Sequence, residues 1–537
     1  MIYNGVTKWS FEYDPNGNIT SVTDKNGQTV TYSYNKNNWL TQKDKGVQGN
    51  VGYSYNGNGL VTSMDVTVGT QTFQHGMNYN PLSQLITLSR NNINLANFTY
   101  DERGNIASIW NGNGTYSAYE YNSANQLESI RIFDNAGYLM HYFIYSYDGN
   151  NSIIGIESRD GSISFQYDAL NQLTQETLVD GTTISYEYDS VGNRTKKTVS
   201  TRTSTTTTNY TYDAANQLID VDGQAYTYDQ NGNLIRNGDK IFVYNADNRL
   251  VEVQDSTGAT ISSFTYDHQG RRISKTTANG TTYYHYDRDT INVLYETDVN
   301  NNVTVEYTYD QQNRPATMMK SGKIYYYHLN THGDVVSLTD ENGSTVAEYQ
   351  YDAWGNIISQ SGLMATENPY RYAGYQFDEE LGLYYLMARY YNPNNGRFLT
   401  RDTFLGFESE PFSLNRYIYT QNNPVNKFDP TGHCAWWTQA LSIVSASVTV
   451  AGMIVGSPWL VGAGVVLGMW SFGYSLYKVM KKHTNYRTWS FWKEVLTTAA
   501  SYSCTFIPAS KIGELIRGAI TFVDINSNVW SCYSRRF

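Results

Sequence analysis

Phe98-Thr99-Tyr100-Asp101, followed by Gly104-Asn105-Ile106, is one copy of a pattern that runs through most of this 537-residue chain. The unit is an aromatic-x-Tyr-Asp/Asn step, then Gly-Asn, then an apolar residue, with a period of about 20 to 24 residues. The tyrosines of the other copies are Tyr13, Tyr34, Tyr55, Tyr79, Tyr121, Tyr147, Tyr167, Tyr188, Tyr212, Tyr228, Tyr244, Tyr266, Tyr286, Tyr309 and Tyr351. A period of this length is typical of proteins in which each repeat packs against its neighbours.

Each unit is predicted to be one β-hairpin. Aromatic residues two apart point to the same face of a strand, Asp or Asn ends the strand, and Gly-Asn supplies the positive-φ turn. A second turn signal lies midway between units, as at Asn26-Gly27. One hairpin cannot bury its aromatic face alone, so neighbouring hairpins are expected to join into one continuous sheet.

The composition agrees with a sheet-rich body and separates it from the tail. With 49 Tyr, 43 Gly, 10 Pro and 16% charged residues, the chain favours strands and glycine turns over helices. The net charge of −11 is unevenly divided, because residues 433–537 hold nine Lys/Arg against three Asp/Glu. The body is therefore acidic, which argues against nucleic-acid binding by the repeats. For the basic tail, residues 433–537, nucleic-acid binding stays an open alternative.

A different, non-repeating motif follows the repeats. It runs from Pro369-Tyr370-Arg371-Tyr372-Ala373-Gly374 through Gly382-Leu383-Tyr384-Tyr385 and Gly396-Arg397-Phe398-Leu399-Thr400-Arg401-Asp402 to Asp429-Pro430-Thr431-Gly432. This stretch resembles the Rhs-associated core domain, and the repeats resemble the YD repeats of Rhs proteins, a family of polymorphic toxins and wall-associated-protein-like members. The resemblance covers about 80% of the chain.

The resemblance implies a mainly β fold, in which stacked hairpins form a curled sheet or hollow shell. It divides the chain into YD-repeat hairpins at 1–366, a core domain that plugs the shell at 367–432, and a variable C-terminal module, predicted here to be helical, at 433–537. About seventeen units are few for closing a shell, so a partner chain that completes it is a further expectation.

The same resemblance implies an aspartyl self-protease in the core domain. Asp402 and Asp429 would be the paired carboxylates, with Arg401 nearby, and would cut the chain after His433. Two carboxylates that share a proton can act as base and acid on a water molecule. The sequence departs from the family pattern at Thr403, where Pro is common, and at His433, where Leu is expected. The alternative is that both Asp residues cap turns and bind backbone amides.

Other polar residues of the motifs are interpreted as structural. His328 and His332 are four apart, but zinc binding at that spacing needs a helix and a third ligand, so no metal site is predicted. Arg389 and Arg397 fit ion pairing inside the motif better than a substrate site. No cofactor is predicted anywhere in the chain.

The tail contains a nearly uncharged stretch, 440–479, interrupted by Gly456-Ser457-Pro458. Each half is just long enough to span a hydrocarbon core of about 30 Å, which predicts a membrane-contacting helical hairpin. A buried helical pair in a soluble tail, or a segment held inside the shell, are the alternatives. Acidic, His and Cys residues of the tail form no recognisable enzymatic pattern.

The N-terminal residues and the cysteines of the tail bear on where the protein is located. Residues 1–6 contain no basic region followed by an apolar run, so no signal peptide is visible, and the chain begins within the repeat pattern. This favours the interpretation that the chain is a fragment of a longer gene product. The alternative is that a dedicated machine or a partner chain delivers the protein. Cys434, Cys504 and Cys532 all lie in the tail, and their disulfide state stays open. The resemblance implies a secreted or cell-surface protein.

These observations predict the carrier shell of a polymorphic toxin, with a membrane-active effector at 433–537 and a cognate immunity protein as partner. Two alternatives remain. One is a non-enzymatic cell-surface protein whose Tyr-rich hairpins bind cell-wall carbohydrate, and the other is an inert fragment of a larger Rhs gene.

Overall fold

The computed structural model describes residues 2–3, 6–405, 411–433 and 436–437, all within one compact unit, Met1–Thr438. Its architecture is almost entirely β, and the described residues contain no α-helix. The helical module predicted for the tail, including the apolar hairpin 440–479, lies outside the described residues. Among the residues that are described, no helix is long and apolar enough to cross a membrane.

Thirty-four strands, β3 to β36, form one antiparallel sheet in which each strand pairs with its neighbours in sequence. The first strands of this sheet are β3 (Trp9–Tyr13), β4 (Ile19–Asp24), β5 (Thr29–Tyr34), β6 (Leu40–Asp44), β7 (Asn50–Tyr55), β8 (Val61–Val68), β9 (Gln71–Tyr79), β10 (Leu85–Arg90), β11 (Ile93–Tyr100), β12 (Ile106–Asn111), β13 (Tyr116–Tyr121) and β14 (Leu127–Phe133). They are followed by β15 (Leu139–Tyr147), β16 (Ile153–Ser158), β17 (Gly161–Tyr167), β18 (Leu173–Thr177), β19 (Thr183–Tyr188), β20 (Arg194–Ser200), β21 (Thr205–Tyr212), β22 (Leu218–Val221), β23 (Gln224–Tyr228), β24 (Leu234–Asn237) and β25 (Lys240–Tyr244). The last are β26 (Leu250–Asp255), β27 (Thr260–Tyr266), β28 (Arg272–Thr277), β29 (Gly280–Tyr286), β30 (Val293–Thr297), β31 (Val303–Tyr309), β32 (Pro315–Lys320), β33 (Lys323–Leu329), β34 (Val335–Thr339), β35 (Thr345–Tyr351) and β36 (Ile357–Ser361).

The remaining elements are short. A two-stranded ladder at the N-terminus joins β1 (Ile2–Tyr3) and β2 (Val6–Thr7). The core segment contains a four-stranded sheet of β37 (Gln376–Asp378), β38 (Leu383–Leu386), β39 (Arg389–Asn392) and β40 (Arg397–Phe398), and a last pair of β41 (Lys427–Phe428) and β42 (Trp436–Trp437). Within the described ranges, the 3₁₀ turns are Gly46–Gln48, Tyr372–Gly374, Pro411–Leu414 and Thr420–Asn422.

The repeat unit closes its turn as the sequence predicts. At Asp189, one carboxylate oxygen accepts the backbone N–H of Val191 at 3.0 Å and of Asn193 at 2.8 Å. Gly192 supplies a φ of +81° in the same turn, a conformation that side chains rarely adopt. The Asn193 amide then reaches Asn216 of the next turn at 2.9 Å, which ties successive hairpins together along the edge of the sheet.

The tyrosine of each unit connects neighbouring hairpins. The Tyr188 hydroxyl donates to the carbonyl of Leu173 at 2.6 Å, the apolar residue that begins the returning strand of the preceding unit. The same bond is made by Tyr34, Tyr55, Tyr100, Tyr121, Tyr147, Tyr167, Tyr212, Tyr266, Tyr286, Tyr309 and Tyr351. The spacing of the repeat is thus fixed by hydrogen bonds as well as by apolar packing.

The sheet curls because each hairpin carries a β-bulge beside its turn. Glu187 pairs with Lys196 and Tyr188 pairs with Arg194, which leaves Thr195 as an extra residue in the ladder. The same shift recurs at the tyrosine of most units. A bulge bends its strand and increases the local twist, and a bulge on the same side of every hairpin bends the strip in one direction.

The curled strip brings early hairpins against late ones. Arg90 makes a bidentate ion pair with Glu306 at 2.7 and 2.8 Å, and the Asn113 amide donates to the carbonyl of Asp340 at 2.7 Å. Among the described strands, β3 pairs only with β4 and β36 only with β35, so the strip is coiled without a closing strand pair.

The core segment packs inside this curl. Tyr384, Tyr391 and Tyr419 are fully buried in one hydrophobic cluster with Ile130 and Ile132 of the strip. Further clusters pack the segment against strands β24 to β27 and β29 to β35. One short segment therefore contacts strands from many repeats at once.

Candidate functional site

The candidate site lies where the core segment ends and is built around Arg389, the first residue of β39. Its Nη2 lies 2.8 Å from Oδ2 of Asp402 and 3.7 Å from Oδ2 of Asp429. The two carboxylates, 27 positions apart in sequence, therefore meet at one guanidinium nitrogen. The guanidinium also lies over the ring of Phe398 on the paired strand β40, 3.5 Å from its centre. Arg389 is buried, so its orientation is fixed from several sides.

Asp429 holds the backbone of the junction. Its Oδ1 accepts the N–H groups of Thr431 at 3.3 Å, Gly432 at 2.9 Å and His433 at 3.1 Å. Its own N–H donates to the Tyr375 hydroxyl at 2.6 Å, and the residue is 2% exposed. Three backbone donors on one oxygen favour the ionised carboxylate.

Gly432 is required by this geometry. Its φ is +75°, and a Cβ placed there would lie 2.4 Å from the carbonyl oxygen of Leu386, far closer than van der Waals contact allows. Its own carbonyl accepts a hydrogen bond from Nε of Arg389. The Gly432–His433 peptide is therefore held at both ends, by Arg389 at the carbonyl and by Asp429 at the N–H.

Asp402 contacts the side chain of His433, the second residue of this peptide. Its Oδ1 lies 2.7 Å from Nδ1 of His433 and accepts the N–H of Phe404 at 3.0 Å. Burial of Asp402 disfavours its charge, but Arg389 and the hydrogen bond from His433 outweigh burial and lower the pKa of the carboxyl group. Burial also lowers the pKa of Arg389, against the opposing effect of the two carboxylates.

The site places two carboxyl groups beside a peptide. Both lie near the guanidinium of Arg389, and each also accepts backbone N–H groups of its own turn. Asp402 and Asp429 therefore cap turns, as the alternative interpretation has it, and they also converge, as a catalytic pair would require.

The structure does not bring Arg401 to the carboxylates. Its backbone N–H faces the carbonyl of Gly232 at 3.4 Å, and its exposed side chain lies against that glycine. Arg389 occupies the position between the two Asp residues, as the interpretation of internal ion pairing suggested. Arg397 instead donates to Asn193 and to the carbonyl of Asn216. Nothing in the motif spacing distinguishes these arginines, because their separation in space depends on how β39 and β40 pair.

The two histidines of the late repeats have local partners. Nε2 of the buried His328 lies 3.0 Å from the Thr339 hydroxyl, and burial lowers the pKa of this histidine to about 3. His332 pairs with Asp334 at 2.7 Å and lies 3.1 Å from the carbonyl of Lys427. Over the described part of the chain, no cluster of three or more His, Cys, Asp or Glu residues has a metal-binding arrangement.

Another buried carboxyl group, that of Glu176, lies away from the junction beside a cavity of about 580 Å³ that also borders His332 and Asp334. Glu176 accepts hydrogen bonds from the Tyr186 hydroxyl at 2.6 Å and from the Ala353 N–H at 2.8 Å. Burial, and then the nearby Asp352, raise the pKa of Glu176 to about 8. Sequence analysis gave no sign of this group, because Glu176 is an ordinary strand residue in the repeat pattern.

Comparison with known proteins gives both a family and relatives. The Teneurin YD-shell family profile matches residues 138–425, more than half of the chain, and an RHS repeat profile matches residues 13–46. The tRNA nuclease WapA of Bacillus subtilis is 40% identical over 371 residues, which cover 68% of this chain and 16% of that protein. The toxin protein Tse5 of Pseudomonas aeruginosa is 45% identical over 64 residues, 12% of this chain and 5% of that protein.

Solved structures show the same fold. The TcdB2-TccC3 complex without its hypervariable C-terminal region superposes with a TM-score of 0.57 at 17% identity, covering 79% of this chain and 27% of that chain. The Photorhabdus luminescens Tc holotoxin pore gives the same TM-score, identity and coverage. The chain spans 16% of the length of the WapA proteins it matches.

Proposed function

The chain belongs to the Teneurin YD-shell family, and we propose that residues 1–432 act as the carrier shell of an Rhs-type polymorphic toxin whose effector is the segment 433–537. The names of WapA and Tse5, a nuclease and a toxin, support the carrier role. This chain corresponds to a small part of WapA, so its cargo, its target and its route of secretion are themselves proposed. We propose use outside the producing cell, with a cognate immunity protein as partner.

One observation carries the proposal: Asp402 and Asp429 converge on Arg389 beside the residue at which the tail begins. A carrier needs a defined point of release, and Asp429 and Asp402 contact the backbone N–H and the side chain of His433. Arg389 and Asp429 together fix the backbone that leads to the next bond, His433–Cys434.

We propose that this bond is hydrolysed by the core segment. One carboxylate takes a proton from water while the water oxygen bonds to the carbonyl carbon of His433. The other carboxyl group gives a proton to the nitrogen of Cys434 as the C–N bond breaks, which leaves a carboxylate on His433 and an amine on Cys434. The reaction requires one of the two groups to be protonated, so it is expected to be faster in mild acid.

The experiment is intact-mass analysis of the full-length protein, 60.9 kDa, beside Asp402→Asn and Asp429→Asn. Asp229→Asn is the matched control, because Asp229 caps an ordinary repeat turn through the N–H groups of Asn231 and Asn233. Cleavage after His433 in the wild type and the control, and none in the two junction variants, supports the proposal. A single intact chain in all four proteins overturns the release step.

For the tail we propose membrane activity, supported by the nearly uncharged stretch 440–479. The second candidate is nucleic-acid cleavage, favoured by the excess of Lys/Arg in 433–537 and by the nuclease names of the WapA relatives. Expression of the tail inside bacteria separates the two. Loss of membrane potential with intact RNA supports membrane activity, and RNA fragmentation with a maintained potential supports the nuclease.

We also propose that a partner chain completes the shell. The end strands β3 and β36 each pair on one side only among the described strands, and such edges are available for pairing with another chain. A mass measurement in solution tests this, since a monomer in the presence of every co-encoded chain would contradict it.

A further inference from the structure

His433 contacts both carboxylates of the junction, one through its side chain and the other through its backbone. Its Nδ1 lies 2.7 Å from Oδ1 of Asp402, and its backbone N–H lies 3.1 Å from Oδ1 of Asp429. The residue whose carbonyl would be attacked by water in the proposed cleavage thus contacts both of the carboxyl groups that would act as base and acid.

We propose that His433 is a latch: its imidazole occupies Asp402 and slows cleavage of the junction for as long as that hydrogen bond is made. This inference rests on the proposed self-cleavage and names the residue that controls its rate. His433 is a positioning residue in this role, because it acts through Asp402.

The contacts of Asp402 show why the latch would be effective. A carboxylate oxygen has two lone pairs, and both on Oδ1 are used, one by His433 and one by the N–H of Phe404. Oδ2 faces Arg389 at 2.8 Å, and the residue is 6% exposed. A water molecule that is to be activated by Oδ1 of Asp402 needs one of the two positions that His433 and Phe404 fill. The His433 side chain is the contact that can be withdrawn, because it is 36% exposed whereas Arg389 is buried.

Charged groups around the imidazole reinforce this arrangement. Asp402 contacts the imidazole, Arg389 bridges Asp402 and Asp429, and the Arg416 guanidinium donates to the carbonyl of Asp402. Arg389 and the His433 contact both lower the pKa of Asp402, which disfavours the protonated form that the reaction needs on one of the pair. Loss of the His433 contact both opens a position for water and makes protonation of Asp402 easier.

Two amide side chains distinguish the latch from a general effect of substitution. Asn at position 433 carries an N–H group near the place of Nδ1 and can still reach Asp402, whereas Gln carries it near the place of Nε2 and cannot reach without rearrangement. Leu fills similar space with no donor at all. Because His433 is partly exposed, each of these residues is expected to be tolerated by the fold.

The experiment measures the rate of cleavage of the full-length protein by intact mass for the wild type, His433→Asn, His433→Gln and His433→Leu. We expect the Leu and Gln variants to cleave at least about tenfold faster than the wild type, as loss of a charge-assisted hydrogen bond would allow, and the Asn variant to stay close to the wild type. The double variant His433→Leu with Asp429→Asn should remain whole.

The outcomes separate the latch from the self-cleavage itself. Equal cleavage rates in all four proteins, with Asp429→Asn still uncleaved, would contradict the latch but would still support self-cleavage. A faster Asn variant, matching Leu, would also overturn the latch, because the retained donor should have restored it. If none of the proteins is cleaved, both the proposed release step and the latch are wrong.

Discussion

Nη1 of Arg272 lies 2.5 Å from Oδ2 of Asp378, and the two side chains, 106 residues apart in the chain, are almost completely buried. Arg272 belongs to strand β28 of the repeats and Asp378 to strand β37 of the core segment. Lys275 adds a second contact to Asp378 at 2.9 Å. The core segment is therefore fixed to the repeats by buried charges as well as by its tyrosines.

Replacement of Asp378 by Asn should destabilise the protein by about 3 to 5 kcal/mol, because it leaves the buried Arg272 without its counter-charge. Glu187→Ala is the control, since its ion pair with Lys196 is exposed and should contribute about 1 kcal/mol or less. The measurement is the free energy of unfolding in denaturant. Equal losses in the two variants would contradict a dominant role for the buried pair.

Tyr188→Phe should lower the free energy of unfolding by about 0.5 to 1.5 kcal/mol, because the hydroxyl donates to the carbonyl of Leu173 between neighbouring hairpins. Tyr13 has the same place in the first unit but is 59% exposed, so Tyr13→Phe should change stability little. The same denaturation experiment compares the two. A larger loss for the exposed tyrosine would argue against the hydroxyl bond as a spacer of the repeats.

Gly432→Ala should destabilise the junction by more than about 2 kcal/mol and abolish the proposed cleavage, because the new Cβ meets the Leu386 carbonyl. Gly382 is the matched control in the same segment. It has a similar φ of +68°, but a Cβ there meets nothing within 4 Å, so Gly382→Ala carries only the backbone strain. Thermal unfolding and intact mass test the pair, and equal behaviour of the two variants would contradict the clash.

Glu176 should make the stability of the protein fall as the pH rises from about 5 to about 8. Its pKa in the folded state is raised from 4.5 to about 8, so the folded state binds the proton more tightly than the unfolded chain. The resulting stabilisation is fully present below the unfolded value and is lost as the pH rises through about 8. Between about pH 5 and pH 9, the melting temperature of the wild type should fall by about 2 °C or more relative to Glu176→Gln. Parallel curves for the two proteins would show that Glu176 titrates normally.

The turn chemistry of the repeats could be predicted from sequence because all of it lies within a few consecutive residues. Asp189, Gly192 and Asn193 make their turn with one another, so their order in the chain is enough to specify it. The hairpins, their antiparallel pairing and the mainly β fold are confirmed for this reason. The helical tail and its membrane contact stay predictions.

For the candidate site, the sequence determined, through resemblance to a family, only that Asp402 and Asp429 were the candidates for a carboxylate pair. Tertiary structure decided their partners: Arg389 rather than Arg401 lies between them, and His433 reaches Asp402. These contacts depend on how β39, β40 and β41 pack inside the curled sheet, and that curl accumulates from small bends at many bulges. The order of neighbouring residues determines each hairpin. Contacts between side chains that are distant in sequence depend instead on the summed bends at all the bulges and on the burial of the core segment.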